Sequence, residues 1–492
     1  MRLSLSPPPP HDETSALQRW KRYARVSGAA AGVGARFAYD HVRGASGPEE
    51  GRALTADYAR HVLGGLKGPL MKVAQFLAAV PDVLPESYAR EFSQLQANAP
   101  SMGWPFVRRR MAAELGPDWE THFATFTRTA AAAASLGQVH RAQALDGRDL
   151  ACKLQYPAMD SVVEADLRQL KVLLTLFEHY DGAIVTNEVL AEVTQHLREE
   201  LDYDREAKNL NLYKLMLDKE PTLHVPEVIP SLSTNRLLTM TWLEGQGLDE
   251  ALKTATSTTR ARLAEALFRA WYAPFYRYGV LHGDPHPGNY TARVDGTLNL
   301  LDLGCVRLFP PSVVGGVVGL YEALRNHDEE RAVEAYKGFG FPNPTKDLVA
   351  TLNIWATFIY APLLEDRARS IDETNTGLYG REAANKVHRA LREKGGIVLP
   401  RAFVFMDRAA VGLGSMFLRL GAVLNWHRLF LDLITDFDES TLASRQADAL
   451  TVVGLCPSPG RDDPTATSFP AAPPPHCDGR AVKRLPRNRG SG

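Results

Sequence analysis

One short stretch constrains this chain more than any other: GVLHGDPHPGNY, residues 279–290. Prolines remove backbone donors and clash with a helical turn, so two of them among glycines exclude a helix or strand interior. The segment is a stiff polar loop set between two apolar-patterned regions. It brings His282, Asp284 and Asn289 close together and raises the question of which partners they meet elsewhere.

The totals narrow the classes. The chain has 492 residues, room for two or three domains or one two-lobed enzyme. With 45% hydrophobic and 23% charged residues it reads as an ordinary globular protein. A net charge of −1 argues against a nucleic-acid footprint. Cys152, Cys305, Cys456 and Cys477 have neither paired nor metal-type spacing, which predicts a reducing compartment and no zinc site. MRLSLSPPPPHDETS lacks the apolar region of a secretory signal. No apolar run is expected to reach the roughly 18–20 residues of a membrane span. The best candidate, residues 410–430, is interrupted by Arg419 and Arg428.

Patterning divides the chain into disordered residues 1–15, a helical extension over 16–120, a β-rich lobe over 121–245, a helical lobe over 246–450 and a disordered tail over 451–492. GQVHRAQAL and RDLACKLQY read as two strands joined at Asp-Gly, and VPEVIPSLSTNRLLTMTWLEG reads as a second hairpin.

The loop has the order His282-x-Asp284, then Asn289 five residues on, then Asp302-Leu303-Gly304 thirteen residues beyond that. In phosphoryl transfer such an order has a reason. One aspartate stands by the attacking oxygen, while an asparagine and a second aspartate hold Mg²⁺ on the phosphates. His282 is expected to position the loop. A phosphate site also needs a strand lysine, and DLACKLQYP supplies Lys153. Upstream, AAAAASLGQV (130–139) would cover the phosphates through Ala132, Ala133, Ala134 and Ser135. Alanine stands there where ordinary kinases have glycine, and it resists positive φ. The run HLREELDYDREAKN (196–209) is read as one helix, with Glu199, Asp202 and Glu206 on one face and Glu200 and Asp204 beside them. Like charges at that spacing repel, so cations from elsewhere are expected, Lys153 and Lys72 among them.

Together these segments resemble the UbiB/AarF atypical kinases, a family of the protein-kinase-like superfamily associated with ubiquinone biosynthesis. The resemblance runs from about residue 60 to 310 and is carried by AAASLGQVH, ACKLQYP, EELDYDREAKN, LHGDPHPGNY and LLDLG. It implies an α+β, two-lobed protein-kinase-like fold with a small β-rich N-lobe, a larger helical C-lobe and a helical N-terminal extension. It implies that Lys153 binds nucleotide with Glu206 as its helix partner, that Asp284 is catalytic, and that Asn289 and Asp302 hold the metal. Met240, Trp242 and Glu244 of MTWLEG would form the adenine hinge. Lys72 and Gln75 match the family's K-x-G-Q signature, with Ala74 where the family has glycine, and Glu200 and Asp202 match its E-x-D pair. The extension would then cover the place of a peptide substrate, with Lys72 as an autoinhibitory pin.

The implied cofactors are ATP or ADP and Mg²⁺. The implied partners are nucleotide, an anionic membrane surface, isoprenoid or quinone-precursor lipids and ubiquinone-biosynthesis enzymes, at a cytoplasmic site peripheral to the inner membrane. After Asp302 the chain runs quickly into helix with no A-P-E, so a peptide platform is not expected. The functional reading is an atypical kinase or ATPase. The alternative is a nucleotide-binding pseudokinase-type scaffold for a lipid-biosynthesis complex.

Overall fold

The computed structural model describes residues 102–133, 136–157, 197–341, 343–373 and 400–455, with single residues between 159 and 195. Expectations for 1–101, including Lys72 and Gln75, for Ala134 and Ser135, and for 456–492 lie outside the described residues.

The small lobe is an antiparallel sheet whose strand order follows from one hairpin. β1 (Phe123–Phe126), β2 (Ala132–Ala133), β3 (Gly137–Ala144) and β4 (Asp149–Gln155) all precede the acidic segment. β3 and β4 turn at Asp146-Gly147, where Gly147 takes φ 87°, as an Asp-Gly hairpin requires. After a two-residue β5 (Leu223–His224), which belongs to the other lobe's sheet, β6 (Leu237–Thr241) closes the order β1-β3-β4-β6, and β2 pairs with β3. β4 is therefore central and buried along nearly its whole length.

Alternation then sorts its side chains. Cys152 and Leu154 join Val107, Met111, Trp119 and Phe123 in one apolar cluster. Lys153 points the other way, toward helix α2 (Tyr203–Met216). The cluster includes α1 (Trp104–Leu115), which the sequence reading assigned to the extension. Val107 and Met111, one turn apart, bury that helix on the sheet. The expected second hairpin keeps only one regular strand. Pro226 and Pro230 cannot donate, and a 3₁₀ turn at Pro230–Leu232 replaces the first arm. Antiparallel bonds nonetheless run from Ile229 N to Thr239 O and from Thr241 N to Glu227 O, both 2.8 Å.

The large lobe is built on α4 (Ser257–Tyr278), capped by Thr256 and ended by Gly279 at φ 63°. A Cβ on Gly279 would stand 2.7 Å from the Phe309 carbonyl, so the left-handed turn also needs the missing side chain. α3 (Leu248–Thr254) precedes it. After it come α5 (Pro311–Asn326), α6 (Glu329–Gly338), α7 (Lys346–Leu364), α8 (Arg401–Leu420), α9 (Trp426–Ile434) and α10 (Glu439–Val453).

Among the described residues one helix, α7, is long and apolar enough to cross a membrane, and a third of its most apolar window is buried. This corrects the expectation that no segment has that length and that residues 410–430 come nearest. Those residues are split at Gly421, φ 58°, between two helices. α7 packs against α5, α6 and α9.

Candidate nucleotide and metal site

Two loops meet because two strand pairs nest. β8 (Val280–His282) pairs antiparallel with β11 (Val306–Leu308), and β9 (Tyr290–Ala292) with β10 (Leu298–Leu300) and with the short β7 (Gln246–Gly247). The loop from β8 to β9 carries Asp284 and Asn289, and the loop from β10 to β11 carries Asp302. Leu301 N donates to Asn289 O at 2.9 Å and Gly283 N to Cys305 O at 2.7 Å, sewing the loops together. Gly283 is required by closeness: a Cβ there would lie 2.4 Å from Cys305 Sγ.

His282 ties the two motifs. The Asp284 amide can only donate, so Nδ1, at 3.3 Å, accepts. Nε2 therefore carries the proton and donates to the Asp302 carbonyl at 2.8 Å. The ring is buried and meets Trp271 edge-on at 5.4 Å. Asn289 Nδ2 donates to the Asp284 carbonyl at 3.0 Å and to Asp284 Oδ2 at 3.2 Å. Its amide oxygen is left as the metal-facing candidate, since both bonds use the nitrogen.

Lys153 Nζ reaches Glu206 Oε1 at 2.6 Å, Glu206 Oε2 at 2.9 Å and Asp302 Oδ2 at 2.9 Å. Tyr203 lies against it, ring centre 5.3 Å away. Burial pulls the lysine's pKa down, but the Asp302 and Glu206 charges overcome it and hold the ammonium protonated. Burial pushes the Glu206 carboxyl up to about 7, against the pull of Lys153. Asp302 Oδ1 accepts from Gly304 N at 3.0 Å, and its side chain keeps 42% of its surface exposed.

The acidic run corrects one expectation. Helix over the described residues 197–200 stops at Leu201, and α2 starts anew after Asp202, whose carboxylate caps it by accepting from Arg205 N at 2.9 Å. Glu199, Asp202 and Glu206 therefore do not share one helical face. Glu199 is buried and bound by Gln195, Arg205 and Arg307, and Glu200 is half-buried. Ala132 and Ala133 pair with Val139 and Gln138 as an exposed hairpin arm.

The hinge reading meets backbone groups already engaged. Met240 is paired within the sheet, Trp242 N donates to Asp149 O at 2.8 Å, and the Glu244 carbonyl accepts from Asn299 at 3.0 Å. The Glu244 carboxylate pairs with Arg141, whose guanidinium lies over the Trp242 ring. Asn209 was missed. It is buried and donates to the Leu303 carbonyl at 2.8 Å, fixing the Asp302 loop to α2. Its spacing from Glu206, one turn on the same face, was the available signal.

An aspartate carboxylate and an asparagine amide oxygen are hard oxygen donors of the kind that suits Mg²⁺, and the Leu301 N to Asn289 O bond ties the two loops that carry them together. Gly304 leaves room there: a Cβ would come within 3.3 Å of Asp302 Oδ1.

The family described as ABC1 atypical kinase-like domain matches residues 94–336. An uncharacterized protein of Synechocystis, slr0889, is 30% identical over 285 residues, 54% of this chain and 69% of that protein. The chain belongs to the ABC1 (UbiB/AarF) atypical kinase family. Yeast atypical kinase COQ8, mitochondrial (Saccharomyces cerevisiae), is 30% identical over 309 residues, and the match spans 60% of each protein. Among solved structures, the complex of Rv3197 with erythromycin from Mycobacterium tuberculosis matches at 25% identity with a TM-score of 0.55, covering 79% of this chain and 98% of that one. The ABC1 chain accordingly has a kinase-like α+β fold.

Proposed function

We propose that this ABC1-family protein binds ATP with Mg²⁺ and acts as an atypical kinase or ATPase supporting ubiquinone or other isoprenoid-lipid biosynthesis at a membrane surface. The carrying observation is Lys153 held by Glu206 and Asp302 beside the paired Asp284 and Asn289. In this reading Lys153 binds the inner phosphates, and Glu206 holds its ammonium in place. Mg²⁺ would neutralise phosphate charge, held by Asp302 and the Asn289 amide oxygen. Asp284 receives the proton of the attacking hydroxyl or water, with Asn289 orienting it. The hairpin through Ala132 and Ala133 covers the nucleotide, and the backbone of the Met240–Glu244 segment meets the base. Leu243 is the member of that segment with no backbone bond among the described residues.

The acceptor is read as something other than a docked peptide. Only a short strand, β11, separates Gly304 from α5 at Pro311, so little chain remains for an activation segment. The pathway reading rests on kinship with the yeast COQ8 kinase.

Thermal melting with Mg-ATP and phosphate release, with and without anionic vesicles, test the proposal. Asp302→Asn is expected to abolish the Mg²⁺-dependent rise in Tm. An unchanged rise overturns the metal assignment, and binding without phosphate release favours the scaffold alternative.

A further inference from the structure

Helix α8 carries two glycines, Gly412 and Gly414, well inside its length. Glycine weakens a helix interior relative to alanine, so each needs a reason. Packing gives Gly414 none, since a Cβ there would meet nothing within 4 Å. A Cβ on Gly412 would overlap Cγ of Pro285 and stand 3.0 Å from its Cβ. Pro285 directly follows Asp284. Its ring is closed on the backbone, so no rotamer swings it clear. The helix is equally fixed. Leu413, Met416, Phe417 and Leu420 form a buried stripe, α8 packs against α4, and Arg260 of α4 donates to the Leu420 carbonyl at 3.0 Å. A side chain at position 412 would therefore displace the Asp284 loop.

We infer that α8 is the seat of the Asp284 loop and that Gly412 is a positioning residue for Asp284. α8 starts at Arg401, beyond the residues 94–336 that match the ABC1 family, so the seat joins the family's loop to a helix outside the matched residues. From within the loop region, His282 Nδ1 accepts from the Asp284 amide and Asn289 donates to Asp284 Oδ2. A push at Pro285 passes straight to the Asp284 backbone and turns its carboxylate against those bonds. Lys153 and Glu206 lie on β4 and α2, away from the contact, so the loss falls on turnover more than on affinity for Mg-ATP. The role given to Asp284 rests on the proposed reaction; the seat itself does not.

Phosphate release from Mg-ATP is measured for the full-length parent, Gly412→Ala, Pro285→Ala, the double variant and Gly414→Ala. Misplacing a reacting group by about 1 Å can cost up to about 100-fold, so Gly412→Ala is expected to lose about 10–100-fold in kcat with KM for ATP changed less than about threefold. With Pro285→Ala already present the overlapping Cγ is gone, and Gly412→Ala is expected to cost about threefold or less. Gly414→Ala is expected to keep the parent's turnover. No loss from Gly412→Ala, a loss carried by KM alone, the same loss in both backgrounds, or an equal loss from Gly414→Ala overturns the inference. Should the parent release no phosphate, the catalytic reading of Asp284 fails by itself, and hydrogen exchange decides the seat. Faster exchange at the Asp284 and Asn289 amides in Gly412→Ala than in the parent, with none added by the same change in Pro285→Ala, supports it; unchanged exchange overturns it. Should Gly412→Ala fail to fold, recovery on adding Pro285→Ala supports the seat, and no recovery overturns it.

Discussion

Asn209 and Glu206 divide one task. Glu206 aims Lys153, while Asn209 holds the carbonyl next to Asp302. Removing a buried donor leaves the Leu303 carbonyl without it, at about 1–3 kcal/mol. Asn209→Ala should therefore lower stability by that amount in denaturant melts and weaken the Mg-ATP-dependent rise in Tm. A full rise would show that the Asp302 loop needs no support from α2.

Glu206 also gives a pH test. Its carboxyl is raised from 4.5 to about 7, so the folded protein holds this proton more tightly than the unfolded chain does. That stabilisation is complete below 4.5 and lost as pH rises through about 7. Glu206→Gln cannot titrate, so its Tm relative to the parent should climb across that window. A flat difference would mean that the carboxyl stays ionised.

At the scale of elements, the arm proposed to cover the nucleotide carries alanine where kinase loops are rich in glycine. β2 contributes two exposed alanines paired with β3, and a methyl at each disfavours positive φ. Ala133→Gly should loosen this arm and change ATP against ADP affinity or turnover, measured by titration and phosphate release. Unchanged values on all three would remove the hairpin from the nucleotide site. Strand β8, which leads into the Asp284 loop, has a different support: Gln446 on α10 donates to the Tyr278 and Phe309 carbonyls at 2.8 and 3.0 Å, bracketing the Gly279 turn.

Across the whole molecule, a buried ion pair joins the lobes. Arg307 on β11 pairs with Glu199, which lies ahead of α2 and also meets Arg205. Stranding a buried charge costs about 3–5 kcal/mol, and the remaining Arg205 contact should hold the loss in Arg307→Met to about 2–3 kcal/mol. Adding Glu199→Gln removes the stranded charge and should recover part of the loss in a double-mutant cycle. Additive losses would show that the two side chains act independently.

Lys153, Asp284, Asn289 and Asp302 were legible as a set because each is tied to a local pattern: alternation on a strand, a proline-stiffened loop, a turn after an apolar strand. The β3–β4 hairpin was legible for the same reason, since Asp-Gly turn chemistry is local. Long-range geometry was not. No spacing reveals that Gly283 must clear Cys305, that Glu199 meets Arg307, or that Asp202 ends one helix and caps the next. The acidic run looked continuous because helical periodicity counts charges but not the partners that reorient them. α1 joined the small-lobe core because apolar faces find each other only when the chain has folded. Composition and pattern thus determined the two lobes and the family. Tertiary packing decided which carboxylate meets which cation, because charges 53 and 149 residues apart in the chain become neighbours only through the fold.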